Sequence, residues 1–166
     1  MCISKSRLVL RITFWALTVA TMIIILLFSS QNGELSSQTS TGFINILMNI
    51  AYPNFSSLGQ AAQAELIESV HLLVRKCAHF SIYALLGFFS ALASLTHFWK
   101  MSKRFIVSIV ISVLYAVSDE IHQIFVPSRV GAVADVFIDS LGATLGICIA
   151  LFAIGFFFRK HIRSGV

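Results

Sequence analysis

The sequence predicts an all-α integral membrane protein: a four-helix bundle with an amphipathic outer-face helix between spans one and two. Three observations predict it. Of the 166 residues, 57% are hydrophobic and 11% charged, where a soluble domain carries about 25% charge. Four apolar stretches are each long enough to cross ~30 Å of hydrocarbon as a helix, which takes about 20 residues. The alternating ten-residue pattern of transmembrane strands is absent, and lipid offers a backbone no partners, so helices are the remaining form.

The first span runs from Ile12 to Phe28, behind Lys5, Arg7 and Arg11. Ser29-Ser30-Gln31-Asn32 lacks a small-x-small cleavage pattern, so this stretch reads as an uncleaved anchor. Residues 29–74 form an outer segment. Gln31 to Gly42 is polar and rich in Ser and Thr, and reads as loop. Phe43 to Tyr52 and Ser57 to Val74 have helical spacing, with Leu58, Ala62, Leu66, Val70 and Val74 on one side and Gln60, Gln63 and Glu68 elsewhere. The second part reads as an amphipathic helix on the outer face, leading into span two. Spans two to four follow at Cys77–Thr96, Phe105–Val126 and Val130–Phe158. The chain thus divides into residues 1–28, the outer segment 29–74, a three-span core 75–158 and a basic tail 159–166.

The basic residues orient these spans. Lys5, Arg7 and Arg11, then Lys100, Lys103 and Arg104, then Arg159, Lys160 and Arg163 fall on one side, which is the cytoplasm by the positive-inside rule. Both termini are then cytoplasmic. The net charge of +5 is spread over short clusters between apolar runs, which is no footprint for nucleic acid. Trp15 and Trp99 read as interfacial anchors, and His97 and His161 as solvated in the basic ends. Three cysteines, Cys2, Cys77 and Cys148, make no disulfide framework; the latter two read as packing residues.

Four of the seven acidic residues, Asp119, Glu120, Asp135 and Asp139, lie inside spans three and four. An isolated charge at mid-membrane costs about 2.5–3.5 kcal/mol on insertion scales, so these must face each other, water or cations. At 1.5 Å per residue, Asp119 stands about 21 Å, Asp139 about 28 Å and His79 about 26 Å from the inner ends of their spans. Arg75, Lys76 and Arg129 share that level. Arg75, His79 and Tyr83 lie on one face of span two. Tyr115, Asp119 and His122 lie on one face of span three, with Gln123 four residues after Asp119. Asp135 and Asp139 lie four apart on span four, followed near that face by Gly142 and Gly146, which admit close helix approach. Pro127 ends span three, and the short Pro127-Ser128-Arg129 turn sets Arg129 above the gap.

These residues resemble the VanZ-like family of bacterial membrane proteins. The resemblance rests on Arg75-Lys76-Cys77-Ala78-His79-Phe80 with Tyr83, Ser118-Asp119-Glu120-Ile121-His122-Gln123, Pro127-Ser128-Arg129, and Asp135 through Asp139-Ser140-Leu141-Gly142. It covers about residues 75 to 150. It implies a multi-pass protein of the bacterial plasma membrane, acting in cell-envelope physiology; the namesake is associated with resistance to the glycopeptide teicoplanin.

Three readings of the polar stripe stay open. In the structural one, the charges only orient helices, a poor stabiliser because desolvation offsets the Coulomb gain. In the enzymatic one, His79 and His122 are general base and acid, with Asp119, Glu120 or Asp135 orienting them. In the binding one, Arg75, Lys76, Tyr83, Gln123, Arg129 and Asp139 hold a membrane lipid or a lipid-linked cell-wall intermediate at the outer leaflet. The inner halves of spans three and four are almost wholly apolar, which argues against a channel. Two His and several carboxylates could also hold a divalent metal; nothing has the spacing of a zinc signature, so no metal ligand is assigned, and no cofactor is named.

Overall fold

The computed structural model describes residues 5–129 and 131–164, with 33–37, 39 and 155–164 described by backbone alone. All of its regular structure is helical: α1 (Lys5–Ser29), α2 (Gly33–Ala51), a 3-10 turn (Phe55–Ser57), α3 (Gln60–Leu95), α4 (Met101–Ile124) and α5 (Val133–Ser164). Among the described residues, four helices are long and apolar enough to cross a membrane: α1, α3, α4 and α5, the last over Val133–Ile154. Their outward faces carry large apolar side chains such as Leu27, Leu114, Phe137 and Phe152, as a bundle solvated by lipid requires. Glu34, His161 and the tail cations Arg159, Lys160 and Arg163 lie in the part described by backbone alone, and Cys2 and Val130 lie outside the described residues.

Three expectations are corrected. Gln31 to Gly42 is not a loop, because α2 begins at Gly33. Asn32 stands where a helix cap belongs and Glu34 falls in the first turn, both start signals that outweigh the Ser and Thr content; α2 then packs on α3. Residues 57–74 are not a separate surface helix. From Gln60 the chain stays helical to Leu95 without a break, because no Pro or Gly interrupts it before Gly87. At 1.5 Å per residue, 36 residues span about 54 Å, well beyond the ~30 Å of hydrocarbon that one crossing needs. The amphipathic helix between spans one and two is α2, whose apolar part is Ser40–Ala51. Finally, Cys77 and Cys148 are exposed on the outer faces and do not pack inside.

At the end opposite the polar cluster, α1 is tied to the α3–α4 turn. Arg11 donates to the Thr96 carbonyl at 3.1 Å, and Trp15 Nε1 donates to His97 Nε2 at 3.2 Å. His97 stacks on Trp99 at 4.4 Å between centroids, Arg7 lies over Phe98 and Lys103 over Trp99. His97 is therefore a packed acceptor, not a solvated side chain. Partial burial, and then the Arg11 charge, hold its pKa below the ordinary histidine value, so the neutral ring that Trp15 needs is the favoured form.

Candidate functional site

The site depends on how closely α3 and α5 cross. A Cβ at Gly142 would sit 2.2 Å from the Phe80 carbonyl oxygen, one at Gly146 1.8 Å from that of Ala84, and one at Gly87 2.1 Å from that of Ala143. The two backbones touch, as small residues permit in a membrane bundle. Asp139, one turn before Gly142, is carried by this seam against α3. It is 0% exposed, and its Oδ2 lies 3.8 Å from His79 Nδ1.

Around this point α4 supplies Asp119, Glu120 and Gln123, all buried. Gln123 Nε2 donates to Asp119 Oδ2 at 3.1 Å and to Glu120 Oε1 at 3.3 Å. Glu120 Oε2 accepts from the Ala132 backbone N–H at 2.9 Å, so this carboxylate pins the α4–α5 connection. Val126-Pro127-Ser128-Arg129 makes that connection a tight turn. Arg129 N donates to the Val126 carbonyl at 3.2 Å, and Ser128 has φ 61°, the pattern of a type II turn with Pro at its second position. The turn aims Arg129 at the end of α1, where Nε and Nη2 donate at 3.1 Å to the Gln31 and Phe28 carbonyls, while Nη1 reaches Gln123 at 3.4 Å. A guanidinium suits carbonyls left open at a helix C-terminus. Burial first, and then the neighbouring Arg75 charge, push the Arg129 pKa below its ordinary value.

The charges are not arranged as a self-satisfied network. Lys76 pairs with Asp135 at 2.7 Å. Among the described residues, neither Arg75 nor Arg129 has a carboxylate within 4 Å. Asp119 Oδ1, both Asp139 oxygens, His79 Nδ1 and the Tyr83 hydroxyl are buried without a hydrogen-bond partner. A bundle using charge only to register its helices would pair these groups, because each orphan forfeits its solvation.

Two cavities meet at the unpaired cations. One, of about 260 Å³, is polar and is lined by Arg75, Lys76, His79, Arg129, Asp135 and Asp139. The other, of about 410 Å³, is an apolar groove bounded by Ile25, Phe28, Phe43, Val74, Ala78 and Ile82. Arg75, His79 and Arg129 line both.

With the buried carboxylates on α4 and α5, the His79 face of α3 and the Arg129 turn all in place, residues 14–157 match the VanZ/LLP1 family. The chain belongs to the VanZ/LLP1 family. No curated protein and no solved structure matches it. The family match extends to α1 and α2, beyond the stretch that carries the sequence resemblance.

Of the VanZ-type residues expected at the site, the structure brings together Arg75, Lys76, His79, Tyr83, Asp119, Gln123, Arg129, Asp135 and Asp139. Glu120 lies at their edge, occupied by Ala132. His122 is turned away: its Nε2 lies 3.2 Å from Ser30 Oγ at the end of α1, and it lines neither cavity. Tyr115 likewise reaches across to the Met22 carbonyl of α1. What the sequence did not reveal is the part played by α1 and α2. Phe28, Ser29, Gln31, Ser40 and Phe43 wall the groove, and their only sequence signal is that they flank a break between apolar runs.

Proposed function

We propose that this protein binds the phosphate-bearing headgroup of an anionic lipid at the outer leaflet of the bacterial plasma membrane, and that it contributes in this way to envelope physiology, including tolerance of glycopeptides. One observation carries the reading. A polar cavity with two arginines lacking carboxylate partners opens onto an apolar groove, and the same Arg75, His79 and Arg129 line both. That is the shape of an amphiphile's binding site: charge for the head, apolar wall for the chain. Guanidinium forks suit phosphate oxygens, and two like charges in one cavity repel until an anion enters.

The orientation is supported by the opposite end of the bundle, where Arg7, Arg11, Lys103 and Arg104 gather around the α3–α4 turn. A basic end of this kind belongs in the cytoplasm, which supports cavities that face outward. Binding is favoured over acid–base catalysis because His79 and His122 face different elements, so no imidazole pair is assembled.

The test uses the full chain in nanodiscs of phosphatidylcholine doped with phosphatidylglycerol, with retained lipid read by native mass spectrometry. Phosphatidylglycerol should be retained preferentially. Arg75→Ala should weaken that preference by about 10-fold or more, in line with loss of a charge-assisted contact worth ~1.5–3 kcal/mol. Equal retention of both lipids by the wild-type protein overturns the reading.

A further inference from the structure

We propose a divalent-cation site inside the bundle, formed by His79 Nδ1, Asp119 Oδ1 and an Asp139 carboxylate oxygen, for an ion that takes mixed nitrogen and oxygen donors, Zn2+ or Mn2+. The three side chains each offer one donor atom, and these atoms lie within 4.8 Å of one another. They come from α3, α4 and α5, so tertiary structure assembles the set and no local motif announces it.

Four observations distinguish this cluster from a chance grouping of acids. Asp139 is 0% and Asp119 3% exposed, so neither carboxylate is solvated by bulk water. The atoms that would ligate, His79 Nδ1, Asp119 Oδ1 and both Asp139 oxygens, are the ones left without a hydrogen bond. The His79–Asp139 separation of 3.8 Å is too long for a hydrogen bond. It is close to the ~3.4 Å expected between two donors bound tetrahedrally at about 2.1 Å to one ion. The fourth observation lies outside the triad. Tyr83, one turn after His79 on α3 and 0% exposed, likewise keeps a buried hydroxyl without a hydrogen-bond partner.

The surroundings are those of a supported ligand. Gln123 holds Asp119 by Oδ2 and leaves Oδ1 without a hydrogen bond, the outer-shell arrangement that orients metal-binding carboxylates. A 2+ ion balances the two buried carboxylates, which no described Lys or Arg approaches within 4 Å. Imidazole with carboxylates favours Zn2+ or Mn2+ over the all-oxygen preference of Ca2+ and Mg2+. Three protein donors leave at least one coordination position. Two of the three residues, His79 and Asp139, also line the polar cavity. The inference shares His79 with the lipid reading but uses neither Arg75 nor Arg129, so either can fail alone.

The experiment takes tag-free full-length protein in nanodiscs, stripped with EDTA and titrated with MnCl2 alone under electron paramagnetic resonance, then with ZnCl2 as competitor. One equivalent of Mn2+ should bind and be displaced by Zn2+, and the bound ion should show coupling to a single imidazole nitrogen. Asp139→Asn and Asp119→Asn should abolish binding, His79→Gln should remove the nitrogen coupling, and Gln123→Leu should weaken binding by about 10–100-fold. Wild-type protein that binds less than a tenth of an equivalent overturns the proposal. So does binding that is undiminished in both Asn variants, or a bound ion without nitrogen coupling. Should the Asn variants fail to fold, the wild-type stoichiometry and nitrogen coupling decide alone.

Discussion

Replacing Gly146 with alanine tests the seam on which the site depends. The added Cβ would lie 1.8 Å from the Ala84 oxygen, 2.7 Å from its carbonyl carbon and 2.9 Å from Phe88 N. All three are backbone atoms of α3, so no side chain can rotate aside. To restore ordinary contact at 3.4 Å, α3 and α5 must separate by about 1.6 Å. Overpacking of this kind costs about 1–3 kcal/mol, here towards the upper end because the obstacle is backbone. Alanine returns up to ~1 kcal/mol as the better helix former. The net loss is about 2 kcal/mol, or roughly 4–8 °C of melting temperature for a chain of this length. Gly42→Ala, in α2, is the control, because nothing lies within 4 Å of its Cβ; it should melt at or above the wild-type temperature. Fluorescence-detected size-exclusion after heating, in one detergent, measures all three proteins. A folded Gly146→Ala protein that melts with the wild type would refute the contact between α3 and α5 as described.

Arg129→Ala should destabilise by about 2 kcal/mol, since it frees the Phe28 and Gln31 carbonyls and the Gln123 amide oxygen together; Arg129→Lys should not restore the loss, because one ammonium cannot serve acceptors on separate elements. Thermal melts of the two variants decide this. Glu120→Gln should cost less than Glu120→Ala, since an amide oxygen can still accept from Ala132 although the contact with the Gln123 N–H is lost, whereas Glu120→Ala orphans the Ala132 N–H as well, at a cost of about 1–3 kcal/mol; the pair of melting temperatures is the check. His97 has a folded pKa below its unfolded value. The unfolded chain therefore binds the proton first, and the contribution of His97 is present above about pH 6.5 and lost as pH falls towards the folded value. The difference in melting temperature between wild type and His97→Gln should accordingly shrink on going from pH 7.5 to pH 5, and a difference that is flat across that range would count against the Trp15–His97 contact.

Much of the polar stripe was legible because helical phase is a local property. Arg75, His79 and Tyr83 share a face whatever surrounds them, and the depth estimate from rise per residue put Asp119, Asp139 and His79 at one level, where the fold does bring them together. Gly142 and Gly146 were readable for the same reason. Pairings across helices were not legible. Asp119 and His122 are three residues apart and share a face, yet Gln123 holds one in the cluster and Ser30 draws the other to α1. That choice is set by where α1 ends, which no periodicity reports. The outer segment failed differently. Ser and Thr content suggested loop before Gly42, while the cap position of Asn32 and the unbroken stretch from Gln60 to Gly87 were the signals that mattered.

The distribution of charge argues that the cluster serves ligands and not helix registry. Removing the Lys76–Asp135 pair leaves two arginines at the cavity mouth and three carboxylates, Asp119, Glu120 and Asp139, beneath. A structural network lowers its energy by interleaving opposite charges, because the desolvation of each ion is repaid only at contact distance. Here the signs are segregated. Arg129 spends its contacts on carbonyls and on Gln123, Arg75 lines the cavity, and the two buried aspartates keep oxygens unpaired. Gln123 stands between the layers, accepting from Arg129 and donating to Asp119 and Glu120. An amide is the side chain that can do both at once, and it holds the two layers apart without neutralising either. Under the two proposals, an anion stabilises the arginine layer and a cation the carboxylate layer. Gln123→Glu probes both roles of this amide at once. It would place a fourth negative charge against Arg129 and remove the N–H that holds Asp119, so anionic-lipid preference and Mn2+ affinity should both fall. A variant with undiminished lipid preference would show that the upper layer does not act through its charge.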